Sequence, residues 1–305
     1  MGNVVVLGSL NMDLVVRTER IPRPGETVHG LDFRTVPGGK GANQAAAAAR
    51  LGVTVDMLGR VGEDAFGHEM LQNLSDQGVG IDRVQHDAGA PSGTATIVVQ
   101  TDGENTIIVV PGANGQVSTQ DVDDNRDLLA NADYLVMQFE VPLPVVRHAI
   151  AQASDMGVHV VLNPAPAYPV DAAFLDGVYC LVVNETEAET LTGLPVTGLE
   201  AARDAAHALQ ELGATVVIVT LGANGALVLA NDEATHIPAR KVSVVDTTAA
   251  GDAFIGGLVA ALDRGMPLVE AVRYATCAGT LATTTLGAQT SLPLRGAVDA
   301  FYGEE

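Results

Sequence analysis

The 305-residue sequence has no tryptophan, two cysteines, two lysines and only 4% aromatic residues. Each shortage excludes something. Cys180 and Cys277 lie in apolar surroundings with no CxxC or Cys/His grouping, which removes a disulfide framework and a zinc site. Two reduced, buried thiols in a cytoplasmic protein are expected instead. No apolar run is long enough to cross a bilayer, since VVVLG and TVVIVTLG have strand length. The N-terminus opens on a strand-like run without the basic segment of a secretory signal. Basic side chains are scarce as well, 16 against 37 acidic for a net charge of −21. Such a surface repels nucleic acid and anionic lipid, and neither is expected as a partner. It would also repel a nucleotide unless Mg²⁺, helix N-termini and the few cations near the site supply a local positive field. The motifs GxGxxG, GxSxG and HExxH are all missing. Their absence sets aside a dinucleotide-dependent dehydrogenase, an α/β-hydrolase and a zinc protease.

What is present is a glycine-rich, 47% hydrophobic chain with strong α/β periodicity. Strand-like runs at 4–7, 53–58, 134–138, 158–162, 179–183 and 215–220 alternate with helical patterns near 41–51, 64–77, 142–156, 185–192 and 199–212. Helices near 250–263 and 267–284 close the pattern. Continuous apolar strands separated by helices predict a mainly parallel sheet covered on both faces, a three-layer α/β fold. No linker or repeat divides the chain, so residues 1–305 are expected to form a single domain. Residues 14–36 and 93–110 break the rhythm with short alternating segments and a turn signal at Asp102-Gly103. They predict a small antiparallel sheet set apart from the main one, a lid; a pair of edge hairpins is the alternative.

Five segments could carry chemistry. GSLNMD follows the first strand, where Asn11 and Asp13 could grip sugar hydroxyls or merely form an Asx turn. PGGKGANQA opens a helix with glycines that admit close approach, and it places Lys40, one of the chain's two lysines, beside Gly39 and Asn43. It is not a Walker A loop, because position 34 is Arg and position 41 is Gly. In NETEAE, Asn184 and Glu187 have capping-box spacing, and the same pair could position hydrated Mg²⁺ and phosphate oxygens. TLGANGA supplies a glycine-rich turn in which Thr220 and backbone N–H groups could meet phosphate. Finally, VVDTTAAGDAF puts the small residues Ala249, Ala250 and Gly251 at a helix start, an anion site with the positive end of the helix dipole. Asp252 follows within the same turn, so a base and an anion hole stand together.

Taken together, these segments resemble the PfkB carbohydrate-kinase family. GSLNMD, PGGKGANQAAAAARLG, GEDAFG, NPAPA, NETEAE, DTTAAGDAF and LGAQTS occur in the family's order over essentially the whole chain. The resemblance implies an ATP-dependent phosphotransferase acting on the 5-hydroxyl of D-ribose, with another sugar or a nucleoside as the alternative acceptor. A non-catalytic sugar- or nucleotide-binding protein is the reading from a different class. It further implies that Asn11, Asp13, Gly39, Lys40, Asn43 and Glu140 hold the sugar and that Asp252 is the base. Asn184, Glu187, Thr220, Gly222, Gly225 and Gly251 would line the ATP side. Thr276 stands where some members place a His near the adenine. Asp246, Thr248, Ala282, Thr285, Gly287 and Ser291 would surround a potassium ion, and the lid would pair two subunits into a homodimer. One departure is Ala249, where the family's broad pattern has Gly.

Overall fold

The computed structural model describes residues 3–102 and 104–304. Its strands are, in chain order, β1 (Asn3–Leu7), β2 (Asn11–Thr18), β3 (Gly30–Gly38), β4 (Thr54–Gly62), β5 (Val79–Asp87), β6 (Gly93–Gln100) and β7 (Asn105–Val110). They continue with β8 (Tyr134–Gln138), β9 (His159–Asn163), β10 (Val178–Asn184), β11 (Val216–Thr220), β12 (Ala226–Ala230) and β13 (Glu233–Ile237). The helices are α1 (Lys40–Arg50), α2 (Ala65–Asp76), α3 (Thr119–Asp124), α4 (Arg126–Ala130), α5 (Leu143–Met156), α6 (Glu185–Thr192), α7 (Leu199–Glu211), α8 (Ala250–Asp263), α9 (Leu268–Ala282) and α10 (Arg295–Gly303).

Nine strands form the main sheet in the order β13-β12-β11-β10-β9-β8-β1-β4-β5. All neighbours run parallel except the edge hairpin β11-β12-β13. The apolar strands are buried on both faces because alternate side chains enter two separate cores. Val4 and Val6 of β1 pack with the helices α1, α8 and α9. Val5 and Leu7 point the other way, into a core shared with α5 and α7. The alanines of α1 and the Gly256-Gly257 pair of α8 allow close helix contact: a Cβ on Gly256 would lie 2.4 Å from the Ala47 methyl.

The strand order reverses between β1 and β8, from which the chain proceeds outward in both directions. In an open α/β sheet the crevice at the carboxyl ends of two such strands is the natural ligand site. Leu7 and Gln138 end these strands, so the segments that follow them, Gly8 to Asn11 and Phe139 to Glu140, open into that crevice.

The second sheet has the order β3-β2-β6-β7. It consists of two antiparallel hairpins, β2/β3 and β6/β7, whose inner strands β2 and β6 run parallel to each other. The two segments therefore pair with each other rather than extending the main sheet. β2 begins at Asn11, so the segment read as a possible Asx turn is already strand, and Asp13 sits on the sheet. The turn expected at Asp102-Gly103 includes Gly103, which lies outside the described residues. Sequence periodicity also passed over β5, the β12/β13 hairpin and the short helices α3, α4 and α10.

Candidate active site

The two glycines before α1 bring the end of β3 against the start of β2. Gly39 is the N-cap of α1 with φ 91°, and a Cβ there would meet the Asn11 nitrogen at 2.7 Å and the Ser9 carbonyl at 2.9 Å. Only glycine fits that position. A Cβ on Gly38 would fall 2.5 Å from Asp13 Oδ2, so the Asp13 carboxylate lies over bare backbone. The same packing draws in Glu140 from the end of β8. Its Oε2 accepts the Lys40 N–H at 3.1 Å and the Ser9 hydroxyl, with Asn11 Nδ2 at 3.5 Å. Asn11 is fixed from the other side, where its Oδ1 accepts from Asn114 Nδ2 at 2.8 Å.

Asp252 is buried in the first turn of α8. Its Oδ2 accepts from Asn43 Nδ2 and its Oδ1 from Gln44 Nε2, both at 3.0 Å. Consecutive residues of α1 thus hold both carboxylate oxygens as acceptors. The Asn43 Oδ1 is buried and has no hydrogen-bond partner among the described residues. That is a costly state unless something else donates to it.

These groups share a field. Burial first, then the neighbouring Glu140 and Asp252 charges, push the Asp13 carboxyl up to about 7. Burial works against the Lys40 ammonium, but Asp252, Glu140 and Glu187 outweigh it and hold its pKa above the usual lysine value. Burial also raises Glu187, despite the Asn184 N–H, Lys40 and Asn163 that pull it down. One ammonium interacts with three carboxylates, and it belongs to one of only two lysines in the chain.

Two adjoining cavities meet at the start of α8, and Asp252 lines the smaller. One of about 220 Å³ is lined by Lys40, Asn163, Asn184, Glu187, Ala249 and Asp252, among others. The other, about 610 Å³, includes Gly222, Gly225, Lys241, Phe254, Thr276 and Gly279. Thr220, Thr247 and Gly251 border both. A small polar chamber thus opens onto a larger, partly apolar one, as a phosphate-bearing ligand with a flat apolar end requires. Lys241, the second lysine, is on the wall of the larger cavity and went unassigned in the sequence.

Between them stands the start of α8. Ala249 is its N-cap in the left-handed conformation, φ 59° and ψ 9°. A non-glycine residue there costs roughly 1–2 kcal/mol, which accounts physically for glycine in the family pattern. The first i→i−4 bond of the helix runs from the Ala253 N–H to the Ala249 carbonyl at 2.8 Å, and Ala250 makes only a 3.3 Å turn bond to Thr247. Gly251, the next residue, borders both cavities, and a Cβ built on it meets nothing within 4 Å, so no neighbouring group crowds this turn.

The other candidates fall into two places. Asn184 and Glu187 form the expected capping box of α6, and Glu187 still borders the small cavity. Gly225 must be glycine for packing, since a Cβ would lie 2.0 Å from the Ile237 carbonyl. Behind α8, Asp246 Oδ1 accepts from the Thr248 N–H and hydroxyl at 2.9 and 2.7 Å, and Oδ2 accepts the Gly287 N–H at 2.8 Å. Burial would raise the Asp246 carboxyl, but these donors outweigh it and hold it below the usual range. Thr285 donates its N–H to the Ala282 carbonyl at 3.4 Å, where α9 ends. The Ser291 hydroxyl is bound locally to the Ala288 carbonyl at 2.8 Å.

A sheet with its crevice at the β1/β8 reversal, a buried carboxylate at a helix start and a two-chambered cavity define a phosphotransferase site. The profile of the pfkB family carbohydrate kinases matches residues 1–295, and the chain belongs to that family. It is 42% identical to the ribokinase of Schizosaccharomyces pombe, over 98% of each chain. It is 38% identical to the deoxyribokinase of Salmonella typhi, over 95% of each. The structure of Arabidopsis thaliana ribokinase complexed with ribose and ATP superposes with a TM-score of 0.93 at 34% identity, covering 100% of this chain and 99% of that one.

Proposed function

We infer that this chain transfers the γ-phosphoryl group of ATP to the 5-hydroxyl of D-ribose. The observation that carries this reading is Asp252: a buried carboxylate, held as an acceptor on both oxygens, lining the smaller cavity next to Gly251, which borders both. Residues 1–305 act as one kinase domain, with the four-stranded sheet as its lid. Ribose lies under that sheet, gripped by Asn11, Asp13, Gly39, Lys40, Asn43 and Glu140. The unpartnered Asn43 Oδ1 then receives a sugar hydroxyl, which removes its desolvation cost.

ATP occupies the larger cavity, with adenine toward Thr276 and phosphates along Thr220, Gly222, Gly225 and Gly251. Asp252 takes the proton of the 5-hydroxyl as that oxygen attacks in line. The N–H groups of residues 249–251 and Lys40 face the charge on the transferring group. Mg²⁺ supplies charge neutralisation on the phosphates when bound. Glu187 and Asn184 fit its usual mode, in which one or two carboxylates hold a still-hydrated ion. The loops behind α8 present one carboxylate, Asp246, with the hydroxyl of Thr248 and backbone carbonyls. Hard oxygen donors with a single negative charge suit K⁺, with Ala282, Thr285, Gly287 and Ser291 completing the surround.

The deoxyribokinase relative makes 2-deoxyribose the competing acceptor. ADP release measured over a sugar panel should be fastest, per unit concentration, with ribose; a higher kcat/KM for 2-deoxyribose or a nucleoside would overturn the assignment. In the same assay, replacing K⁺ by Na⁺ should lower the rate, and equal rates would remove the monovalent site.

A homodimer through the lid belongs to the same proposal. Leu31 and Phe33 of β3 and Ile107 to Val110 of β7 are exposed apolar residues on the two outer strands of the small sheet, an arrangement that a second subunit would cover. Phe33→Asp combined with Ile108→Asp should convert a dimer to a monomer in sedimentation, and unchanged mass would refute this interface. Cytoplasmic residence is proposed on Cys180, a buried cysteine in no disulfide. Among the described residues no helix is long and apolar enough to cross a membrane.

A further inference from the structure

A chain of three buried amides runs behind Asp252. Gln138 at the end of β8 is fully buried, Gln44 on α1 is 1% exposed and Asn163 at the end of β9 is 7% exposed. Gln138 Nε2 donates to Gln44 Oε1 at 2.6 Å. Gln44 Nε2 donates to Asp252 Oδ1 at 3.0 Å and to Asn163 Oδ1 at 3.3 Å. Asn163 Nδ2 in turn donates to the Val182 carbonyl at 3.0 Å, with Glu187 Oε2 at 3.4 Å.

The direction of every amide in this chain is dictated by its ends. An ionised carboxylate can only accept, so the nitrogen of Gln44 must face Asp252. Its oxygen then faces Gln138, which must present its own nitrogen. Gln138 Oε1 is left buried and without a partner among the described residues, packed where a Cβ on Gly8 would lie 2.1 Å away. A buried acceptor is thus left unsatisfied while the nitrogen faces Gln44, a cost of about 1–3 kcal/mol. A network that served only to pin α1 to the sheet would gain nothing from that cost.

We propose that Gln44 is a positioning residue for the phosphoryl-transfer reaction, its amide locked by Gln138 so that it aims the Asp252 carboxylate and favours its ionised form. The proposal rests on Asp252 being the base. Asn43 holds the other oxygen but keeps a spare acceptor in Oδ1, whereas the nitrogen and oxygen of the Gln44 amide are both engaged by protein groups. Loss of Gln44 should therefore affect the chemical step and spare substrate binding.

The test is steady-state kinetics on Gln44→Met and Gln138→Met, which keep chain length and volume, beside Asp252→Asn. Melting curves establish that each variant folds. Gln44→Met is expected to lower kcat roughly 10- to 100-fold, a share of the 10²–10⁴ that a positioned base contributes. KM for ribose and for MgATP should stay within about threefold. At saturating ribose, its acid limb of kcat should move to higher pH, because the charged form of Asp252 has lost a donor. Lys40 from α1, Asp13 from β2 and Glu187 from α6 also face Asp252, and all three remain in every variant.

Gln138→Met should move kcat and the limb in the same direction by a smaller amount, and it decides the matter if Gln44→Met does not fold. A folded Gln44→Met, or in its place Gln138→Met, with kcat within threefold and an unmoved limb overturns the proposal. If Asp252→Asn is inactive in that same experiment, the base assignment survives and only the positioning role falls. If Asp252→Asn keeps full turnover, the base assignment itself has failed.

Discussion

Asp252→Asn is expected to fold and to lose roughly 10²–10⁴-fold or more in kcat, the range for removal of a general base. The fold should survive because the substitution is isosteric and its hydrogen bonds can be largely kept. The introduced amide would still accept from Gln44 through its oxygen. Its nitrogen would face Asn43, whose Oδ1 is without a partner among the described residues, so a flip of the Asn43 amide turns the misfit into a bond. What cannot be restored is the proton acceptor. The Gly251 N–H, Lys40 and the two cavities remain, so ribose and ATP should still bind and a low residual rate should persist from positioning and electrostatics alone. Near-normal turnover in this variant would remove the mechanism.

Asp13→Asn should raise the KM for ribose by roughly 10- to 100-fold, because bonds to a charged acceptor are each worth about 1.5–3 kcal/mol, while kcat changes far less. The pH dependence of the wild type should report the same group. With its carboxyl pushed to about 7 by burial, Glu140 and Asp252, Asp13 is largely protonated below neutrality and accepts sugar hydroxyls poorly. KM should therefore rise as pH falls through 7, and this limb should vanish in Asp13→Asn.

Stability should move in the opposite sense. The folded-state pKa lies above the unfolded value near 3.9, so folding disfavours the ionised form. That penalty is absent below about pH 4, grows as pH rises, and is complete above about 7. Asp13→Asn should consequently gain Tm over the wild type, by more at pH 8 than at pH 5. A pH-independent KM with no Tm gain would place Asp13 outside the sugar site. The carboxylate is thus kept at a cost to stability, a pattern that marks binding sites.

Much of this was legible in the chain, for physical reasons that differ by residue. The parallel sheet showed itself because strands buried on both faces read as continuous apolar runs, as in VVVLG and TVVIV. Lys40 stood out by scarcity, and Asp252 by the small residues before it. The lid strands betrayed themselves by short alternation, but their parallel β2/β6 contact is a long-range pairing that periodicity cannot encode. β5 was missed because VGIDRVQHD carries charges along a sheet edge, and β12/β13 because a two-residue Asn231-Asp232 turn follows a run that reads equally as helix.

The least legible part was the support of Asp252. Gln44 and Gln138 lie 94 residues apart, and nothing in either local sequence distinguishes a buried glutamine from a surface one. Glu140 was named only through family resemblance, yet the strand reversal between β1 and β8 is what brings it to Ser9 and Lys40. Topology, not motif, makes that contact.

The central claim is transfer to one particular oxygen, and the product states it directly. Wild-type enzyme incubated with MgATP and uniformly ¹³C-labelled ribose should give a single phosphorylated sugar whose phosphorus couples to C5 and C4. Coupling to C1 and C2 instead, or ATP consumption with no sugar phosphate formed, would contradict the assignment of Asp252 as the base for the 5-hydroxyl.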